Sequence, residues 1–237
     1  MANQYSSGKV GFKLYGVTNG AMQKARQEIS RITNDAVQLN YSLYGADCYV
    51  ELIKGDASDL LFDEGVKSFI TTFSKCIYAN ENISLQESAV ALLKISAKQL
   101  CSAESFTGGA IANAIVSVSG ASEVIYEGMV CYNTNSKIQR LGVNPITVKN
   151  YTVVSREVAF EMVYGLLQSG NCDVAVATTG YASPTGDERK PCGLCYIAVG
   201  DENKIEVFKF NFKGNRSQII EQGKQNALLA LNKILRG

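Results

Sequence analysis

The chain reads as an α/β protein: a small α+β unit over residues 1–80, followed by a larger α/β/α sandwich over 81–237. Three observations lead there. Apolar runs of strand length alternate with stretches of helical apolar spacing through the second two-thirds of the chain. Val174–Thr179 is continuously apolar or small, as expected of a strand buried on both faces. The first 78 residues instead order as β-α-β-β-α, with a hairpin signal at Gly45-Ala46-Asp47.

The elements follow in order. Lys9–Tyr15 alternates like a strand, and Asn19-Gly20 signals a turn. Met22, Ala25, Ile29, Ile32, Ala36 and Leu39 give helical spacing over 21–39. Leu39–Tyr44 and Cys48–Ile53 form the hairpin arms. Asp56 can cap a second helix that buries Leu60, Leu61, Val66, Phe69, Ile70 and Phe73. Ala79–Asn82 is a linker, and Ser84-Leu-Gln-Glu87 is a capping box for a helix burying Ala89, Leu92, Leu93 and Ala97.

A strand over 99–103 then leads through Ala103-Glu-Ser-Phe-Thr-Gly-Gly109 into a helix over 110–117. Val124–Tyr132 is a strand, and 135–141 is a short helix closed by Gly142. Ser155 starts another helix with Val158, Met162, Val163, Leu166 and Leu167 inward. After the strand 174–179 comes a loop to Gly186, then strands over 193–200 and 205–212. Gly214-Asn215-Arg216 opens a last helix with Ile219, Ile220, Ala227, Leu231, Ile234 and Leu235 on its apolar side.

Composition narrows the chemistry. A formal net charge of +1 argues against nucleic acid as the main partner. No apolar run approaches a membrane span, and the polar first eight residues lead into no signal-peptide core, so the expected location is cytoplasmic. Seven scattered cysteines fit reduced, buried thiols better than a disulfide framework. Only Cys192 and Cys195 have metal or redox spacing, and no second pair completes a zinc site. No metal and no cofactor is expected.

The chain contains no histidine. That removes Ser-His-Asp and Cys-His catalysis. A hydrolase of this composition needs Lys, Tyr, Asp or Glu as its base.

Ser105 sits at a strand-to-helix turn followed by two glycines, where a hydroxyl nucleophile and backbone N–H groups can meet a substrate. The same residues would also serve as a plain helix cap. Tyr132 and Lys137 fall at the same expected rim of the sheet, and either can accept a serine proton if its pKa is lowered. Thr178-Thr179-Gly180 closes a buried strand, where hydroxyls can face a ligand. Arg216 at a helix start opposes the helix dipole and favours an anionic partner.

Taken together, Ala103–Gly109, Gly128–Asn133 with Lys137 and Leu141-Gly-Val143, Thr179-Gly180, Lys190–Gly193 and Gly214-Asn-Arg216 resemble the C-terminal domain of the CinA family, from about Ser84 to the end. Residues 9–78 resemble the KH-like middle domain of full-length CinA proteins, which in those proteins follows a molybdopterin-binding-like domain not represented here. The resemblance implies nicotinamide mononucleotide deamidase activity, converting the carboxamide and water to nicotinate mononucleotide and ammonia in pyridine-nucleotide salvage. It also implies a homodimer and no metal. It makes Ser105 the nucleophile and Tyr132 and Lys137 its activating residues. Thr107, Gly108, Gly109, Ser122, Thr179 and Arg216 become substrate-binding positions.

Backbone N–H groups over 107–109 would stabilise the oxyanion, and Arg216 would pair with the 5′-phosphate. The departures are Phe106 in place of the family's Cys, Glu127-Gly128 in place of a glycine pair, and two lost glycines in Thr179–Gly186. They motivate the alternative, a catalytically weakened nucleotide-binding or regulatory module. Nucleic-acid binding through the first unit is disfavoured, because Gly16-Val-Thr-Asn-Gly20 lacks G-x-x-G spacing.

Overall fold

The computed structural model describes residues 8–184 and 191–236. It divides into two compact units, Met1–Ser84 and Leu85–Gly237.

The first unit is built from β1 (Lys9–Tyr15), α1 (Asn19–Thr33), β2 (Gln38–Tyr44), β3 (Asp47–Ile53), α2 (Asp59–Phe73) and β4 (Ile77–Ala79). The strands form one antiparallel sheet in the order β2-β3-β1-β4. β3 alternates strictly, burying Cys48, Val50 and Leu52, so its period-2 pattern sets which face meets the core. Phe12, Met22, Ile29, Phe62 and Phe69 complete that core, with the Phe12 and Phe69 rings stacked at 5.4 Å.

Three expectations for this unit are corrected. α1 stops at Thr33 rather than continuing to Leu39, because Asn34 and Asp35 both take left-handed backbone, which Asn and Asp tolerate. α2 is capped by Ser58, whose hydroxyl accepts from the Leu61 N–H, and not by Asp56. Leu60 and Ile70 are exposed, and Phe62 carries the packing instead.

The second unit runs α3 (Leu85–Ile95), β5 (Leu100–Glu104), α4 (Ala110–Val116), a 3-10 turn (Ala121–Glu123), β6 (Ile125–Val130), α5 (Thr134–Leu141), α6 (Pro145–Tyr151), α7 (Arg156–Gln168), β7 (Val174–Gly180), β8 (Leu194–Asp201), β9 (Ile205–Asn211) and α8 (Arg216–Arg236). The sheet order is β6-β5-β7-β8-β9. β6, β5 and β7 are parallel, while β8 and β9 are antiparallel additions. α8 packs on β7, β8, α3 and α4, and α7 packs on β5, β7, β8 and β9 with α5 and α6 against it. Helices therefore cover both faces of the sheet, and β5 and β7 are buried throughout apart from the half-buried Gly180 at the end of β7.

The helix α6 was not foreseen, although Asn144 caps it and Pro145 occupies its first turn. Ala97 is exposed and Leu92 half-buried, so α3 packs through Leu85, Ala89, Val90 and Leu93. On α8, Ile220, Ile234 and Leu235 are half-buried, and Leu228 and Ala230 join the core. No helix among the described residues is long and apolar enough to cross a membrane.

Candidate active site

β5 delivers its last residue, Glu104, to the carboxyl edge of the parallel strands, and Ser105 follows immediately. Ligand sites of open α/β sheets lie at this edge. The turn after Ser105 is tight: the Gly108 N–H donates to the Ser105 carbonyl at 3.1 Å. Gly108 and Gly109 have φ of +62° and +96° in succession, a conformation that explains the glycine pair.

The neighbouring strand supplies the second group. The Cys131 N–H donates to the Glu104 carbonyl at 2.8 Å, which extends the β5–β6 ladder to the edge. Asn133 then caps α5, its side chain accepting from the Asn135 N–H at 2.8 Å. On α5 the inward positions are Lys137 and Leu141, one helical turn apart. A lysine thus occupies a core position, with only 1 % of its surface exposed.

Lys137 Nζ lies 3.0 Å from Ser105 Oγ. It also donates to the carbonyls of Cys131 at 2.6 Å and Tyr132 at 3.3 Å. No carboxylate pairs with it among the described residues. Burial away from water disfavours the ammonium and lowers its pKa from 10.5 to about 8. Serine and lysine, thirty-two residues apart in sequence, therefore meet as a hydrogen-bonded pair.

Tyr132 is placed differently. It contributes its carbonyl to Lys137, while its side chain is 60 % exposed and its hydroxyl accepts from Arg216 at 3.1 Å. Arg216 also donates to Ser183 Oγ at 3.1 Å, so this cation ties the segment after β6 to the loop after β7. Thr107 is buried and its hydroxyl lies 2.7 Å from that of Thr178. Thr178 also accepts from the Ser105 N–H at 3.3 Å. Its neighbour Thr179 points to the opposite face and donates to the Val153 carbonyl at 2.9 Å. Of the two threonines, Thr178 is the one on the serine's side, because successive strand residues face opposite ways.

Two further expected positions lie apart from the serine–lysine pair or are already engaged. Ser122 sits in the 3-10 turn before β6, beside Val124, whose carbonyl meets the Leu100 N–H at the amino end of β5. Within one chain it is at the far edge of the sheet from Ser105. Gly109 does not offer its N–H to a ligand, because that group donates to Glu104 at 3.0 Å. Glu104 is fully buried and was not singled out by sequence, although it precedes the serine directly. Its carboxylate also accepts from the N–H groups of Ile111 at 3.1 Å and Ala112 at 2.8 Å.

Phe106 does not fill the site. Its ring is 3 % exposed and packs where Gly180 and Gly223 leave room; a Cβ on Gly223 would stand 2.5 Å from the ring. Thr185, Gly186 and Lys190 lie outside the described residues. All seven cysteines are free, Cys192 half-buried and Cys195 buried, where burial pushes its thiol up to about 12. No group of Cys, Asp and Glu among the described residues could hold a metal ion.

Comparison with known proteins gives the family. The family model for the CinA C-terminal domain matches residues 82–235. The chain belongs to the CinA family. A relative from Caldicellulosiruptor saccharolyticus is 36% identical over 231 residues, which are 94% of this chain and 55% of that protein. A CinA-like protein of Endomicrobium trichonymphae is 32% identical over 232 residues, 94% of this chain and 54% of its own. The chain spans about half the length of these curated relatives.

Among solved structures, a CinA superfamily protein from Klebsiella pneumoniae is 29% identical, covering 64% of this chain and 96% of its own, with a TM-score of 0.62. A competence/damage-inducible protein from Agrobacterium tumefaciens is 32% identical, covering 62% and 93%, with a TM-score of 0.60.

Proposed function

We propose that this CinA-family chain is a nicotinamide mononucleotide deamidase that uses Ser105 as nucleophile and Lys137 as base. The observation that carries the reading is the buried lysine 3.0 Å from the serine hydroxyl, without a carboxylate partner among the described residues. A neutral amine has two N–H donors and one lone pair. The carbonyls of Cys131 and Tyr132 take the two donors, which leaves the lone pair for the Ser105 proton.

The reaction then balances with water as the only co-substrate. Ser105 Oγ attacks the carboxamide carbon while its proton passes to Lys137 Nζ. The lysine returns that proton to the amide nitrogen as the C–N bond breaks, and ammonia leaves behind a nicotinoyl ester. Lys137 next takes a proton from water, whose oxygen attacks the ester carbon. Collapse releases nicotinate mononucleotide and gives the proton back to Ser105. A lysine pKa near the working pH suits both directions of transfer.

Tyr132 serves this chemistry through its carbonyl, which helps orient the amine, while its exposed side chain meets Arg216. Arg216, beside Tyr132, offers a guanidinium to the 5′-phosphate. The reading includes a homodimer, which sedimentation velocity checks.

The test is ammonia release from nicotinamide mononucleotide. Wild type is expected to release it and Ser105→Ala to release it at least about 10³-fold more slowly. Nucleotide binding without turnover would favour the alternative of a non-catalytic module.

A further inference from the structure

The turn that carries Ser105 holds more hydrogen-bonding logic than the serine–lysine pair uses. Seven consecutive N–H groups follow from Ser105 to Ile111. The Ser105 N–H goes to Thr178, Gly108 to the Ser105 carbonyl, Ala110 to the Thr107 carbonyl, and Gly109 and Ile111 to Glu104. The N–H groups of Phe106 and Thr107 find no acceptor among the described residues. Both residues are buried, where an unanswered N–H is costly.

Glu104 explains why only these two are left over. Gly109, the residue before α4, has no side chain to cap it, and Glu104 supplies the missing acceptor from the strand side. The amino end of α4 is therefore occupied by the chain's own carboxylate and is closed to a substrate anion. The same three bonds fix the 105–109 turn against both β5 and α4.

We propose that Glu104 is a positioning residue whose carboxylate holds this turn so that the Phe106 and Thr107 N–H groups receive the oxyanion formed when Ser105 is acylated. The inference rests on Ser105 being the nucleophile, and it replaces the 107–109 N–H set expected from sequence. Removing one oxyanion donor typically slows acylation by about 10²–10³-fold.

A fluorophosphonate probe tests this without depending on the substrate. Ser105 Oγ forms the O–P bond, its proton passes to Lys137, fluoride leaves, and the phosphoryl oxygen occupies the oxyanion position. Labelling rates are followed against pH by intact-protein mass spectrometry, with the site located by peptide mapping. For Glu104→Gln the plateau rate is expected to fall about 10–100-fold, with the pH midpoint unmoved because Lys137 is untouched. General loosening of the site would instead shift that midpoint upward as Lys137 becomes hydrated.

Should Glu104→Gln fail to fold, an amide-to-ester replacement between Phe106 and Thr107 decides the matter. It deletes an N–H that has no acceptor among the described residues, so it spares the fold and is expected to cut labelling about 10²-fold. Equal labelling of wild type and the ester variant would overturn the inference, as would a shifted midpoint in Glu104→Gln. An unlabelled Ser105 in the wild type would overturn the nucleophile and the inference together. Labelling without ammonia release would remove the deamidase reading and leave the oxyanion assignment standing.

Discussion

Among the described residues two lysines are buried, one in each unit, and they are partnered in opposite ways. Lys13 on β1 forms an ion pair with Asp47 on β3, and Asp47 also accepts from the Tyr78 hydroxyl at 2.8 Å. Lys137 on α5 faces two carbonyls and one hydroxyl, with no carboxylate beside it among the described residues. A buried ammonium with a carboxylate beside it belongs to the scaffold. One given only neutral acceptors is poised to lose its proton, and burial lowers the Lys137 pKa to about 8. Burial alone does not mark a functional lysine; the missing counter-charge does.

The largest effect is expected where that contrast is abolished. Lys137→Met should reduce ammonia release about 10³-fold or more, as should Ser105→Ala, since paired groups fail together. Lys137→Arg should be no better, because a guanidinium stays protonated. Steady-state ammonia assays check all three.

Next comes the linkage of that proton to stability. The folded pKa of about 8 lies below the usual 10.5, so between these values the unfolded chain binds the extra proton. Wild type should therefore gain stability relative to Lys137→Met as pH rises from 8 to 10.5, by about 3 kcal/mol in total. Urea unfolding of both proteins at a series of pH values measures it, and a constant difference would contradict it.

Lys13→Met should behave as a scaffold change. Leaving Asp47 without its cation is expected to cost about 1–3 kcal/mol, at the lower end because the Asp47 side chain is one-third exposed. Ammonia release should be unchanged, and adding Asp47→Asn should recover part of the loss in a double-mutant cycle. The smallest effect is expected for Thr179→Val, which removes the bond to the Val153 carbonyl at a cost of about 1 kcal/mol and leaves turnover near wild type. Thermal unfolding and the ammonia assay check it together.

Much of this was legible in the sequence. The absence of histidine left Lys, Tyr, Asp or Glu as the base, and Ser105 and Lys137 both follow strands that end at one edge of a sheet. What the sequence hid has identifiable causes. β7 is buried on both faces, so no polar alternation distinguishes Thr178 from Thr179. Nothing in the sequence marks Glu104, and its bonds to the Gly109, Ile111 and Ala112 N–H groups appear only once Gly109 proves to be a helix start with no side chain to cap it. Tyr132 reads as a second base in a linear chain, yet its side chain turns outward to Arg216 and only its carbonyl reaches the amine. Ser122 lies in sequence between two site segments, but the chain must return to the amino edge before β6 can run parallel to β5.

The most direct test of the unpaired-lysine account is the pH dependence of ammonia release from nicotinamide mononucleotide. The account predicts a rate that rises with pH through a midpoint near 8 and levels off above it, with that limb absent from the residual rate of Lys137→Met. A flat wild-type profile, or full turnover by Lys137→Met, would contradict it.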